Sequence, residues 1–297
     1  MRITQNFLYT SFLDRINENR AEASDIQNRL TTGKKVSKAS DDSIAFAESR
    51  AVRTQGFKEE QYQNNLRSGL AQARLAQDAM DNVIDLMISV KETAVQGASD
   101  AQSESERQVL SQKVESLRDV ILNELNTDYN GVYLFGGTNT NDQPFYEDAA
   151  AAGGIADRSN DNRLSVQASD ATNITFSVTG TELRNVNGMD VFQSLQNLTE
   201  GLQNNDQAAI SGSLDEINES IDHVVALASE QGNSINRMEF LYEQYEKRMI
   251  SSEKRISELV DADYTESVAM FRQYQTAYQA ALAVHSEAMQ TSLLNFL

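Results

Sequence analysis

Large apolar side chains in the last stretch of the chain, 264–297, fall at Val268, Phe271, Tyr278, Leu282, Met289, Leu293 and Phe296. Steps of three, four and seven residues put all of them on one stripe of an α-helix, with Gln275 and His285 in the two skipped turns. No Gly or Pro interrupts the stripe, so the pattern predicts a helix roughly 50 Å long at about 1.5 Å per residue. Residues 1–30 carry a similar pattern: Ile3, Phe7, Leu8, Phe12, Leu13 and Ile16, then a heptad-like seam at Ala23, Ile26 and Leu30. Each of these helices has one apolar face and nothing of its own to cover it. The simplest reading pairs the two ends with each other or with copies from neighbouring molecules. The interface residues are then Ile3, Phe7, Ile16, Ile26 and Leu30 at one end, and the stripe Val268 to Phe296 at the other. An ordinary globular helix packed on its own core is the alternative.

Between the ends, Gly33 follows Leu30 as a stop signal in the basic turn Thr31 to Ala39. Ser40-Asp41-Asp42-Ser43 then opens a helix, with Ser40 a candidate cap and two Asp where the helix dipole favours negative charge. A long helical pattern runs from about Ile44 to Val95. A second starts near Ser103 or Ser105, where Ser105 and Gln108 make a capping-box pattern, and ends before Gly131. There the period changes. Val132–Phe135, Arg163–Val166 and Asn173–Val178 read as strands, separated by Gly136-Gly137, Pro144 and Gly153-Gly154. Helical stepping resumes at Val191, with breaks expected at Gly201 and Asn204-Asn205, and continues to about Asp261.

The expected fold is mainly α: a rod-like antiparallel helical bundle with paired terminal helices and a small β-rich insert (α+β). The divisions are a terminal helical, coiled-coil-like layer (1–42 and 263–297), a helical rod domain (43–135 and 190–262) and a β-rich insert domain (136–189). Replacement of 138–187 by a short linker is expected to leave the helical part folded.

Composition narrows the function. The 44 acidic against 25 basic residues leave a net charge of −19, which disfavours a nucleic-acid partner because phosphate binding needs a basic face. The chain has no cysteine, hence neither disulfides nor thiolate metal sites. Its first residues lack the cationic and apolar regions of a cleavable signal, and no apolar run approaches the ~18 residues needed to span a bilayer. No membrane partner and no cofactor are expected. Asp157, Ser159 and Asp161 imitate the start of a calcium loop, but Asn162 and Ala168 stand where Gly and a bidentate Glu are required. His223 and His285 are far apart, and no catalytic constellation stands out, so an enzyme is not expected.

Two stretches, Leu30-Thr31-Thr32-Gly33-Lys34-Lys35-Val36 and Ser40-Asp41-Asp42, resemble the flagellin superfamily when taken with the terminal helices and with Lys91–Ala98. The resemblance covers about 1–135 and 190–297. Within the superfamily, Tyr129–Thr138 followed by Gln143-Pro144-Phe145, and the end Met289–Leu297, are similar to the hook-associated protein 3 family of hook–filament junction proteins. The resemblance implies a structural part of the bacterial flagellum, located outside the cell and exported without a cleaved signal by the flagellar type III route. The partners it implies are hook-associated protein 1, flagellin, copies of itself in a ring, and a cytosolic export chaperone on the C-terminal helix. Filament flagellin and a cytosolic coiled-coil adaptor remain alternatives.

Overall fold

The computed structural model describes the backbone of residues 2–294 and the side chains of Phe7 and 10–284. Seven α-helices carry the chain: α1 Arg2–Thr32, α2 Ser43–Ala98, α3 Glu104–Leu125, α4 Gly180–Arg184, α5 Val191–Gln203, α6 Gln207–Val260 and α7 Tyr264–Leu294. Between α3 and α5 lie four antiparallel two-stranded ribbons. They pair β1 Asp128–Tyr129 with β2 Val132–Tyr133, β3 Phe145–Glu147 with β4 Ile155–Asp157, β5 Ser165–Gln167 with β6 Asn173–Thr175, and β7 Asn185–Val186 with β8 Met189–Asp190. The protein is mainly α with a small β insert, as the periodicity predicts.

Helix starts follow local chemistry and correct three details of the sequence reading. Asp42, not Ser40, caps α2, because only the residue directly before Ser43 reaches the free amides of Ile44 (3.0 Å) and Ala45 (2.9 Å). The capping box of α3 is Ser103 with Glu106, two residues upstream of the Ser105–Gln108 pair: the Ser103 side chain takes the Glu106 amide, and Glu106 Oε2 takes the Ser103 amide at 2.7 Å. Helix α5 runs unbroken through Gly201 and stops only at Asn204-Asn205, where Asn205 has φ +58. The strands are also shorter than the alternating runs that announce them. Val132–Phe135 contributes two strand residues before Leu134 and Phe135 turn into the core.

The chain divides into two compact units. One contains 59–247, the other 1–58 with 248–297, and α2 and α6 contribute residues to both. The 59–247 unit holds two apolar clusters. The larger joins α2 (Met80, Met87), α3 (Val114, Ile121), α5 (Phe192, Leu195, Leu198) and the first half of α6. The smaller joins Leu66 and Leu70 of α2 to Ile235 and Met238 of α6. The insert stretch is part of both cores. Phe145, Ile155, Val178, Leu183 and Val186 belong to the larger cluster, and Ala168, Ile174 and Phe176 to the smaller. Free replacement of 138–187 by a linker therefore does not fit the packing.

Polar groups tie the same pieces together. Arg107, almost fully buried, donates to the carbonyls of Gly97 (2.8 Å) and Ser99 (3.0 Å) and to the Asn205 side chain, so a cation sits against the C-terminal carbonyls of α2. Gly97 lies where a Cβ would come within 2.3 Å of Leu202 Cδ2, so its hydrogen lets α5 approach α2. Arg163, just before β5, donates to Glu182 of α4 at 2.8 and 3.0 Å and to Glu230 of α6.

Candidate assembly interface

The unit formed by 1–58 and 248–297 is built on a closure between the two ends of the chain. Helix α1 stops at Thr32 because Gly33 takes φ +68, with its amide on the Arg29 carbonyl at 2.8 Å, the glycine stop the sequence announces. Lys34 then pairs with Asp261 as an isolated antiparallel bridge. Around it, the Lys35 amide donates to Val260 O at 2.7 Å, the Ala262 amide to Gly33 O at 2.9 Å, and Lys35 Nζ to Glu258 O at 2.6 Å. On the far side Asp263 caps α7 through the amides of Thr265 and Glu266. α1 thus arrives where α7 departs, and the two helices pack along one another in antiparallel sense.

The loop after the bridge is held by one carboxylate. Asp41 Oδ2 accepts from the Ser37 amide (3.0 Å), the Ser37 hydroxyl (3.1 Å) and the Lys38 amide (3.1 Å). The Ser37 amide, with Lys38 beside it, holds the Asp41 carboxyl below its ordinary value. The acidic pair therefore divides its work between the loop and the helix cap. Arg255 of α6 reaches Glu48 of α2, its Nε at 3.0 Å.

The structure places those interface residues that it describes on the paired helices, most of them half-buried. Ile26 is buried at 3% exposure; Ile16, Leu30, Val268, Phe271 and Tyr278 are half-buried; Phe7 is 71% exposed and Leu282 43%. Ile3, Met289, Leu293 and Phe296 lie outside the described side chains, as does His285. Ile44, Phe57, Ile250 and Tyr264 are also strongly exposed in this unit. The stripe does not include them. Among the described residues, the buried apolar side chains of this unit are Ile26, Val36, Ala45 and Val260, and neither apolar cluster includes one of them.

Among the described residues no group of three His, Cys, Asp or Glu could hold a metal ion, and no helix is long and apolar enough to cross a membrane. His223 pairs through Nε2 with the Glu182 carbonyl at 2.9 Å, a packing contact. The arrangement offers exposed apolar helix faces rather than a reactive site.

Comparison with known proteins identifies the helical regions at both ends. The bacterial flagellin N-terminal helical region matches residues 3–140, and the flagellin C-terminal helical region matches 214–297. Flagellar hook-associated protein 3 of Escherichia coli strain K12 is 24% identical, covering 99% of this chain and 98% of that protein. Its Salmonella typhimurium counterpart is 23% identical over the same shares. Among solved structures, the flagellar junction protein FlgL of Legionella pneumophila superposes on 72% of this chain and all of its own with a TM-score of 0.61 at 12% identity, a likeness of fold. With flagellin helical regions at both ends, the chain is a structural protein, not an enzyme, and belongs to the flagellin superfamily, with homology along its full length to flagellar hook-associated protein 3.

Proposed function

We propose that the chain forms the layer between hook and filament, meeting hook-associated protein 1 on one side and flagellin on the other, and giving flagellin its surface to assemble on. The observation that carries this reading is the contrast within the terminal unit: paired helices with Phe7 and Leu282 open to solvent and, among the described residues, few buried apolar side chains of their own. Such faces gain their burial from neighbouring molecules. The hook-associated names of the full-length relatives supply the neighbours. Export proceeds through the flagellar type III route, with a cytosolic chaperone covering the α7 stripe until the chain leaves the cell.

Contacts to unlike neighbours above and below need not fit each other, so assembly stops after one layer rather than propagating. The test is a strain lacking this chain. It is expected to keep hooks, lose filaments and shed flagellin into the medium, and purified protein is expected to cap hook ends and permit filament growth. Long filaments of the purified chain alone, seen by electron microscopy, would make it a filament flagellin instead.

A further inference from the structure

A basic socket stands at the start of α2 in a chain that is otherwise strongly acidic. Lys34, Arg50 and Arg53 line an open cavity of about 560 Å³, with Val36, Phe46 and Val260 on its walls and the hydroxyls of Thr32, Ser37 and Ser49 among them. Arg50 and Arg53 are one turn apart on α2, so their guanidinium groups leave the same side of the helix. Among the described residues none of the three cations has an ion-pair partner, although the chain carries 44 carboxylates. Nearby cations are engaged: Lys35 on the Glu258 carbonyl, Lys38 facing Asp41 at 3.8 Å, and Arg255 on Glu48. The three cations of the socket thus stand together without a carboxylate among the described residues.

A matching surface lies on α1. Asp14, Glu18 and Glu22 are four residues apart, which places them on successive turns of one side. All three are exposed, and none has an ion-pair partner among the described residues; Arg15 and Arg20 are the cations beside them in sequence. The seam toward α7, carried by Ile16, Ala23, Ile26 and Leu30, occupies a different side. One turn separates Glu18 from Glu22, much as it separates Arg50 from Arg53.

We propose that the acidic stripe Asp14–Glu18–Glu22 of one copy docks into the Lys34–Arg50–Arg53 socket of the next copy. The occupant is a second copy of this chain, chosen by charge and spacing together. The two patches differ, so the contact is head-to-tail, and repetition leads round a ring when the rotation closes. Exposed Ile44, next to the socket on α2, gives the contact an apolar margin. Arginine suits the socket because its fork takes a carboxylate with two parallel hydrogen bonds.

This inference rests on the junction reading, and the experiment separates the two. In cells whose only copy is this chain, incorporation into purified flagella is compared with the amount exported. Three variants are used: Glu18→Lys with Glu22→Lys, Arg50→Glu with Arg53→Glu, and all four together. Each pair is expected to lower incorporation at least ~10-fold and the combination to recover most of it, as complementary charges set register more than bulk affinity. Circular dichroism checks that each variant retains its helices, and Glu18→Gln with Glu22→Gln gives a milder version where reversal disturbs folding. Because the chain has no cysteine, Glu22→Cys in one tagged copy and Arg50→Cys in another provide a second readout, a mixed disulfide dimer in assembled flagella. Unchanged incorporation, no recovery in the combination, or no mixed dimer would overturn the docking while leaving the junction reading intact. Absence of the wild-type chain from flagella would overturn that reading itself.

Discussion

The 59–247 unit and the unit of 1–58 with 248–297 are made of the same kind of helix and solve opposite problems. The first closes a large apolar core, with Leu66, Met80, Met87, Ile121, Phe145, Phe192 and Leu195 fully buried, although Val95, Val109 and Phe240 stay exposed on its surface. The second keeps Phe7, Ile44, Phe57, Ile250, Tyr264 and Leu282 exposed. Amphipathic periodicity is present in both, so a stripe says only that a face will be covered. What covers it depends on whether a third element is close in sequence. In the first unit α3, the ribbons and α5 supply it. In the second, among the described residues, α1 packs along α7.

This contrast can be broken most severely from the insert. A short linker in place of 138–187 removes eight cluster residues, seven of them larger than alanine. At ~1.5–3 kcal/mol for each large side chain the loss is about 10–20 kcal/mol, as much as the net stability of a typical domain. Thermal melting is expected to show loss of the cooperative transition, and a folded deletion variant would mean that the helices hold a core without the ribbons. Phe192→Ala is next, at roughly 3–5 kcal/mol measured by denaturant unfolding.

Arg107→Ala leaves the Gly97 and Ser99 carbonyls without their donor and is expected to cost on the order of 1–3 kcal/mol. The opposite result belongs to the terminal unit. Phe7→Asp with Leu282→Asp is expected to move monomer stability by no more than about 0.5 kcal/mol, as for ordinary surface positions, while abolishing incorporation into flagella. A large drop in monomer melting temperature would show that the two units are alike after all.

The smallest effects are titrations in the 59–247 unit. Burial pushes the Glu182 carboxyl up, but hydrogen bonds from Arg163 and Thr179 outweigh it and leave it below the ordinary carboxylate value. A depressed folded value means that this stabilisation is present above the unfolded value and lost as pH falls through the folded one, so Glu182→Gln is expected to flatten the acid limb of the stability curve. At the alkaline end, Tyr62 donates to Asp170 at 2.5 Å; that bond, with burial, pushes its phenol up to about 12. Stability from this group is complete below the ordinary tyrosine value and lost as pH rises toward 12. An ultraviolet titration is expected to show one late phenol that Tyr62→Phe removes.

Much of this was legible in the sequence because helix signals are local. The turn at Gly33, the Asp pair, the stripe from Val268 and the change of period after Gly131 each depend on residues a few positions apart. The division of labour between the units was not legible, since Phe145 meeting Phe192 at 5.7 Å is a fact of tertiary packing. Two ribbons had a readable signal of another kind. Asn130-Gly131 and Asn187-Gly188 both adopt positive φ, the two-residue turn that matches strand twist, and Asn-Gly announces it. The bridge of Lys34 to Asp261 had none, because isolated pairings leave no periodicity.

That bridge also has a consequence in time. Lys35 and Glu258 are separated by 223 residues, and closing so long a loop from a disordered chain costs on the order of 5 kcal/mol in entropy before any contact repays it. Local hairpins and neighbouring helices form far sooner than pairings of such high contact order. The joining of α1 to α7 is therefore expected to be a late event in folding. Hydrogen exchange at the Lys35 and Ala262 amides is expected to outpace that in the α3 and α5 cores.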